Sequence, residues 1–94
     1  MSDWTFAQRD PEDHLARLHY FSLIRKQGDR EIEFLITVKE YASPPDPALP
    51  FYAFADKQTN QKTVAYTPNG WGKTLLEALS RCRDAVMRFP YEGE

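Results

Sequence analysis

The sequence predicts an α+β fold: a short N-terminal helix, a four-stranded antiparallel sheet built from two hairpins, and a long C-terminal helix packed on one sheet face. Three observations carry this. Apolar residues alternate with period two on both sides of Gly28-Asp29; two further short strand segments follow a proline-rich break; and the last quarter of the chain shows helical spacing behind a capping signal. Ninety-four residues hold one core, so the chain reads as a single domain over 1–94. Its lead-in spans 1–9, its proline-rich loop 42–50 and its tail 91–94.

Each element has a local cause. Asp10-Pro11-Glu12-Asp13 supplies a cap, a proline suited to the first helical position and two acids for the dipole, predicting one or two helical turns that end by Leu18. His19, Phe21 and Leu23 then alternate with Tyr20, Ser22 and Ile24, and Ile32, Phe34, Ile36 and Val38 alternate with Glu31, Glu33, Leu35, Thr37 and Lys39. A two-residue turn at Gly28-Asp29 sets Gln27 against Arg30, Lys26 against Glu31, Leu23 against Phe34 and Phe21 against Ile36. That register gathers the large apolar residues on one face and pairs opposite charges on the other.

Four prolines keep 42–50 out of any strand or helix interior. Phe51 to Lys57 reads as the third strand and Thr63 to Thr67 as the fourth, with 58–62 as the turn between them. The final helix runs from Leu75 to about Phe89, with Leu75, Leu79, Cys82, Val86 and Phe89 as its stripe, widened by Leu76, Ala78, Ala85 and Met87. Thr74 and Glu77 form a capping box, Glu77/Arg81 and Asp84/Arg88 are i,i+4 pairs, and Pro90 stops the helix.

Composition narrows the function. A net charge of −2 gives neither a basic nucleic-acid arm nor an acidic tail. The single cysteine, Cys82, admits no intramolecular disulfide and no cysteine-based metal site, and its place in the helix stripe reads as a small buried filler. His14 and His19 lack metal-ligand spacing. No nucleophile, base and acid come together, so the chain is expected to be no enzyme and to need no cofactor. Without a signal peptide or an apolar span, the expected location is cytoplasmic, away from membranes.

The junction Gly70-Trp71-Gly72-Lys73-Thr74 concentrates the remaining chemistry. Gly72-Lys73-Thr74 matches the end of a phosphate-binding loop, but Thr67 stands where that loop needs its first glycine. The plainer reading is a tight turn, a cap and a solvated lysine. A softer reading keeps an anion or phosphate at the N–H groups ahead of Leu75. On the third strand, Phe51, Ala53 and Ala55 lie on one face and Tyr52, Phe54 and Asp56 on the other. The leucine-rich helix stripe favours Tyr52 and Phe54 as its partners. If they face away, the sheet instead presents an aromatic surface that a second protomer or stacked bases would cover.

The run Gly72-Lys73-Thr74-Leu75-Leu76-Glu77-Ala78-Leu79, following a strand and leading into Arg83-Asp84-Ala85-Val86, resembles the strand-to-helix junction of the HicB-like antitoxin domain. Over residues 66–86 the resemblance implies a protein-binding, dimeric module without catalytic residues. The order of four strands and a helix is also similar to the Whirly and transcriptional-coactivator type of single-strand-binding fold. That likeness implies a sheet face for single-stranded nucleic acid, using Arg25, Lys26, Lys39, Lys57, Lys62, Tyr52 and Trp71. The leading expectation is a non-catalytic interaction module, a homodimer that covers its open sheet face, acting on an unknown protein partner. Single-stranded nucleic-acid binding is the alternative, and an anion site at Gly70–Thr74 the third. The candidate binding residues are Tyr52, Phe54, Lys57, Tyr66, Gly70, Trp71, Gly72, Lys73 and Thr74.

Overall fold

Gly28 and Asp29 join the two longest elements, β1 (Ala16–Gln27) and β2 (Arg30–Tyr41), in the computed structural model, which describes residues 3–93. The register is the one alternation predicts, from Gln27 opposite Arg30 to Phe21 opposite Ile36. Gly28 takes φ +61° while Asp29 stays out of the positive region. This is the pattern of a hairpin turn with glycine first, whose twist suits the flanking strands. β3 (Phe51–Ala55) returns beside β2 and β4 (Asn69–Gly72) beside β3, so sheet order follows chain order and every pairing is antiparallel. The helix α1 (Leu75–Arg88) crosses β4, β3 and β2. No helix among the described residues is long and apolar enough to cross a membrane.

The N-terminal helical turn lies upstream of its expected start. Asp3–Ala7 forms a 3-10 turn within the stretch read as lead-in, whereas Asp10 to Asp13 closes one isolated turn, Asp13 N–H to Asp10 C=O at 3.0 Å. The Gln8 amide explains why that turn does not propagate. It donates to the Asp10 and Asp13 carbonyls at 2.7 and 2.8 Å and accepts from Leu15 N–H at 2.9 Å, taking groups a continuing helix would use.

The fourth strand is also displaced. Thr63 to Thr67 makes only one bridge, Tyr66 with Thr59, and the strand is Asn69–Gly72, inside the segment read as a junction loop. Glycine discouraged a strand reading there, and close packing is the reason glycine is present. A Cβ on Gly70 would stand 2.6 Å from Arg81 Cβ and 2.9 Å from Cys82 N; one on Gly72 would stand 2.4 Å from Ala78 N. The two glycines let the helix backbone lie directly on β4.

That contact rotates the buried helix stripe. Ala78, Cys82, Ala85 and Val86 face the sheet, Leu75 and Leu79 are half-buried at its border, and Leu76 is exposed. Small residues on the helix meet small residues on the sheet, Ala53, Ala55, Gly70 and Gly72. Tyr52 and Phe54 therefore face away from α1, which corrects the expectation that they pack beneath it. Bulk enters along β2, where Ile32, Phe34, Ile36 and Val38 are buried. Each such side chain contributes about 1.5–3 kcal/mol by leaving water.

The hairpin tip extends past β3, and the residues after α1 cover it. The Arg25 guanidinium donates to the Val86 and Phe89 carbonyls at 2.7 and 2.6 Å, satisfying groups the helix end leaves free. Gln27 exchanges two hydrogen bonds with the Tyr91 backbone, both at 2.9 Å, and Tyr91 meets Phe34 edge to face at 6.0 Å. Asn60 N–H and Lys62 N–H close the other side, on Pro90 C=O and the Glu92 carboxylate. The projecting hairpin gives extents of 47 × 22 × 20 Å and a Cα radius of gyration of 15.0 Å, against about 12 Å for a rounder chain of this length.

Candidate binding face

The sheet face turned away from α1 carries the odd-numbered residues of β2 and the even-numbered residues of β1 and β3. Tyr52 pairs with Trp71 across β3 and β4 and with Lys39 across β2 and β3, which brings these side chains together on that face. The rings form a row. Tyr41 stacks on Trp71 at 6.1 Å between centroids, Trp71 meets Tyr52 at 4.5 Å, and Tyr52 stacks on Phe54 at 5.8 Å. Such offset contacts lie in the attractive range for ring quadrupoles. Lys39 Nζ sits 5.5 Å from the Phe54 centroid, close enough for cation–π attraction.

Burial against the neighbouring rings pushes the Tyr52 hydroxyl above its ordinary range, with Tyr41 and Cys82 adding to it. Trp71 also borders a hollow of about 290 Å³ shared with Pro45, Asp46 and Leu49, so the proline-rich loop walls one end of the row. Beyond the rings the face stays apolar. Leu18, Tyr20, Ile24 and Leu35 are 44, 71, 56 and 50% exposed, more than isolated surface residues need explain because they share one face with the rings.

Charge on this face cancels. Lys26 stands opposite Glu31, and Glu33 accepts from Ser22 Oγ at 2.6 Å while Lys39 lies over its ring. Where β3 has ended, Asp56 and Lys57 seal the edge of β2. Asp56 bonds the Leu35 N–H through its carboxylate at 2.9 Å and the Leu35 C=O through its own N–H at 3.0 Å, and Lys57 Nζ donates to the Glu33 carbonyl at 2.7 Å.

Three predicted candidates, Tyr52, Phe54 and Trp71, thus share one surface with Lys39. The others stand elsewhere. Tyr66 lies at the carboxyl end of α1, edge to face with Phe89 at 5.3 Å and 5.9 Å below the Arg88 guanidinium. Gly70 and Gly72 are buried under the helix. Thr74 Oγ1 caps α1 by accepting from Glu77 N–H at 3.1 Å, and the Glu77 carboxylate accepts from Lys73 N–H at 3.1 Å. The chain's own carboxylate therefore stands where an anion would approach. Arg25 is committed to the helix end on the opposite face, and Lys62 stands beside the tail, its backbone N–H bonded to the Glu92 carboxylate. Of the two helix ion pairs expected, Glu77 with Arg81 forms at 3.4 Å, while Asp84 pairs with Arg83 at 3.3 Å and Arg88 turns to Tyr66.

Sequence reasoning missed Tyr41, Leu35 and Tyr20 as members of the face. The signal existed: Tyr41 continues the odd-numbered alternation of β2 by one more step. Comparison with protein-family models, curated proteins and solved structures finds no match to this chain.

Proposed function

We propose that this chain is a non-catalytic protein-interaction module and that the sheet face opposite α1 is its binding surface. The observation that carries the reading is the stacked row Tyr41, Trp71, Tyr52 and Phe54 continuing into exposed Leu35, Tyr20 and Ile24 on a face whose charges cancel. Rigid aromatic side chains offer large contact area at low entropic cost, and a charge-depleted centre is the composition of a protein interface. The resemblance of residues 66–86 to the HicB-like domain implies the same class of role.

A second reading has one specific observation in its favour. Aromatic rows on open sheets stack single-stranded bases, and Lys39 stands beside this one. Against it, Lys26 and Lys39 are matched by Glu31 and Glu33, leaving little positive charge for a phosphate backbone. Titrating a labelled single-stranded oligonucleotide with the protein at low and moderate salt separates the two. The interaction reading expects no salt-sensitive binding up to high micromolar protein. It also expects Leu35→Glu and Trp71→Ser, but not Lys73→Ala, to lose proteins retained by the wild-type chain on a column. Saturable oligonucleotide binding that weakens steeply with salt and disappears in Trp71→Ala would overturn it in favour of nucleic acid.

A further inference from the structure

The outer edge of β1 is one of the two open edges of the sheet. A two-residue hairpin closes on a hydrogen-bonded pair, here Gln27 and Arg30, so the odd residues of β1 turn N–H and C=O toward β2. The bond from Ala42 N–H to Leu15 C=O, at 3.0 Å, keeps that parity at the far end. The even residues Leu18, Tyr20, Ser22 and Ile24 consequently turn theirs outward. Among the described residues, no other segment supplies a hydrogen bond to those outward groups. These same residues are the ones with exposed side chains.

Native sheets blunt such edges with charge, proline, bulges or brevity. β4, the other edge, is four residues long, and its Trp71 carbonyl accepts from Arg81 Nη1 at 2.8 Å. β1 is 12 residues long, pairs with β2 without a bulge, and has no charged residue or proline from Leu18 to Ile24.

We infer that a second copy of the chain pairs with this edge, β1 against β1 about a two-fold axis, extending the sheet to eight strands. Charge selects the register. Centring on Phe21 sets Arg17 opposite Arg25 of the other copy, and centring on Ser22 sets His19 opposite Arg25 and Leu18 opposite Lys26. Centring on Tyr20 avoids these pairs: Tyr20 meets Tyr20, Leu18 meets Ser22, His19 meets Phe21 and Arg17 meets Leu23. Arg25 and Lys26 then lie beyond the paired segment. Tyr20, Leu18 and Ser22 are outward-bonding residues, so these pairs exchange the ladder bonds that the lone chain leaves to water. On the helix side, the joint adjoins a hollow of about 200 Å³ lined by Phe21, Ser22, Leu23, Ile36, Leu79 and Arg83, where the second copy's β1 would form a further wall.

This inference does not depend on what binds the open face, and its test keeps the two apart. Light scattering on the full chain is expected to give twice the 11.0 kDa chain mass. Ser22→Pro removes an N–H that faces solvent in the single chain, a place where edge strands tolerate proline; it is expected to keep the wild-type circular dichroism and fall to the single-chain mass. Tyr20→Cys is expected to be joined into a covalent dimer by a short bis-maleimide, since side chains directly opposite each other start only about 5 Å apart. Cys82, fully buried, stays silent. Leu35→Cys, exposed at the middle of the open face, is expected not to cross-link. A wild-type chain that stays at single mass up to about millimolar concentration would overturn the inference, as would cross-linking through Leu35→Cys but not Tyr20→Cys.

Discussion

Gly72 is where a single residue decides the architecture. Any side chain there would drive a carbon to 2.4 Å from the Ala78 backbone nitrogen, and neither strand nor helix can yield by rotating a side chain. Gly72→Ala is expected to cost about 3 kcal/mol, the upper end of overpacking penalties, as a lowered midpoint in urea unfolding. Cys82 carries the second residue-scale prediction. Burial pushes its thiol from an ordinary 9.0 up to about 11. The unfolded chain therefore releases this proton first, so the contribution of the buried thiol is complete below pH 9 and is lost as pH rises toward 11. Wild-type stability is expected to fall more steeply than that of Cys82→Ala across that window, measured by urea unfolding at stepped pH. The native thiol should also resist a disulfide reagent that reads it at once after unfolding. Cys82 as a filler was legible from its helical stripe. Gly72 was visible as a residue but not as a contact, because what it touches is set by a helix not yet placed.

Among the elements, the register of the β1–β2 hairpin was legible, since alternation, turn chemistry and cross-strand charge agree on it. Its far end was not: β1 already begins at Ala16, within the reach allowed to the N-terminal helix, and β2 runs on to Tyr41. The carboxyl boundary of α1 was legible from Pro90, but not the group that finishes it. Arg25 reaches the last carbonyls from a strand more than sixty residues upstream, and local pattern carries no trace of such a partner. Arg25→Met, which keeps much of the stem and removes the donors, is expected to lose roughly 1.5–3 kcal/mol, the range for hydrogen bonds from charged groups. Arg25→Lys should recover part of it by keeping the charge near the helix end. Chemical unfolding of the three chains side by side measures this order. β4 was the least legible element, because strand propensity counts Asn-Gly-Trp-Gly as a turn and only close helix packing makes it a strand.

For the molecule as a whole, the fold class followed from the order of elements, and the position of the aromatic surface followed from which face the helix covers. That choice was made by size. Ala53 and Ala55, with Gly70 and Gly72, leave room for an α-helix at close range; Tyr52, Phe54 and Trp71 would hold it off. Helical periodicity set Leu75, Leu79, Cys82, Val86 and Phe89 in the stripe with Ala78 and Ala85 widening it. The glycine contact buries Ala78 and Ala85 with Cys82 and Val86 and leaves Leu75, Leu79 and Phe89 half-buried. The consequence is a molecule with a dry, small-residue joint on one side of the sheet and a row of stacked rings on the other.

The stitching of residues 86–93 to the hairpin also bears on when this protein can fold. Four of its hydrogen bonds, from Arg25 to Val86 and Phe89 and the pair between Gln27 and Tyr91, join positions 61 to 64 residues apart. A hairpin forms in microseconds, but this one keeps Phe34 without its Tyr91 cover until the distant segment arrives. During synthesis the hairpin must therefore wait, half-dressed and with a bare strand edge, for residues made more than sixty positions after its first strand.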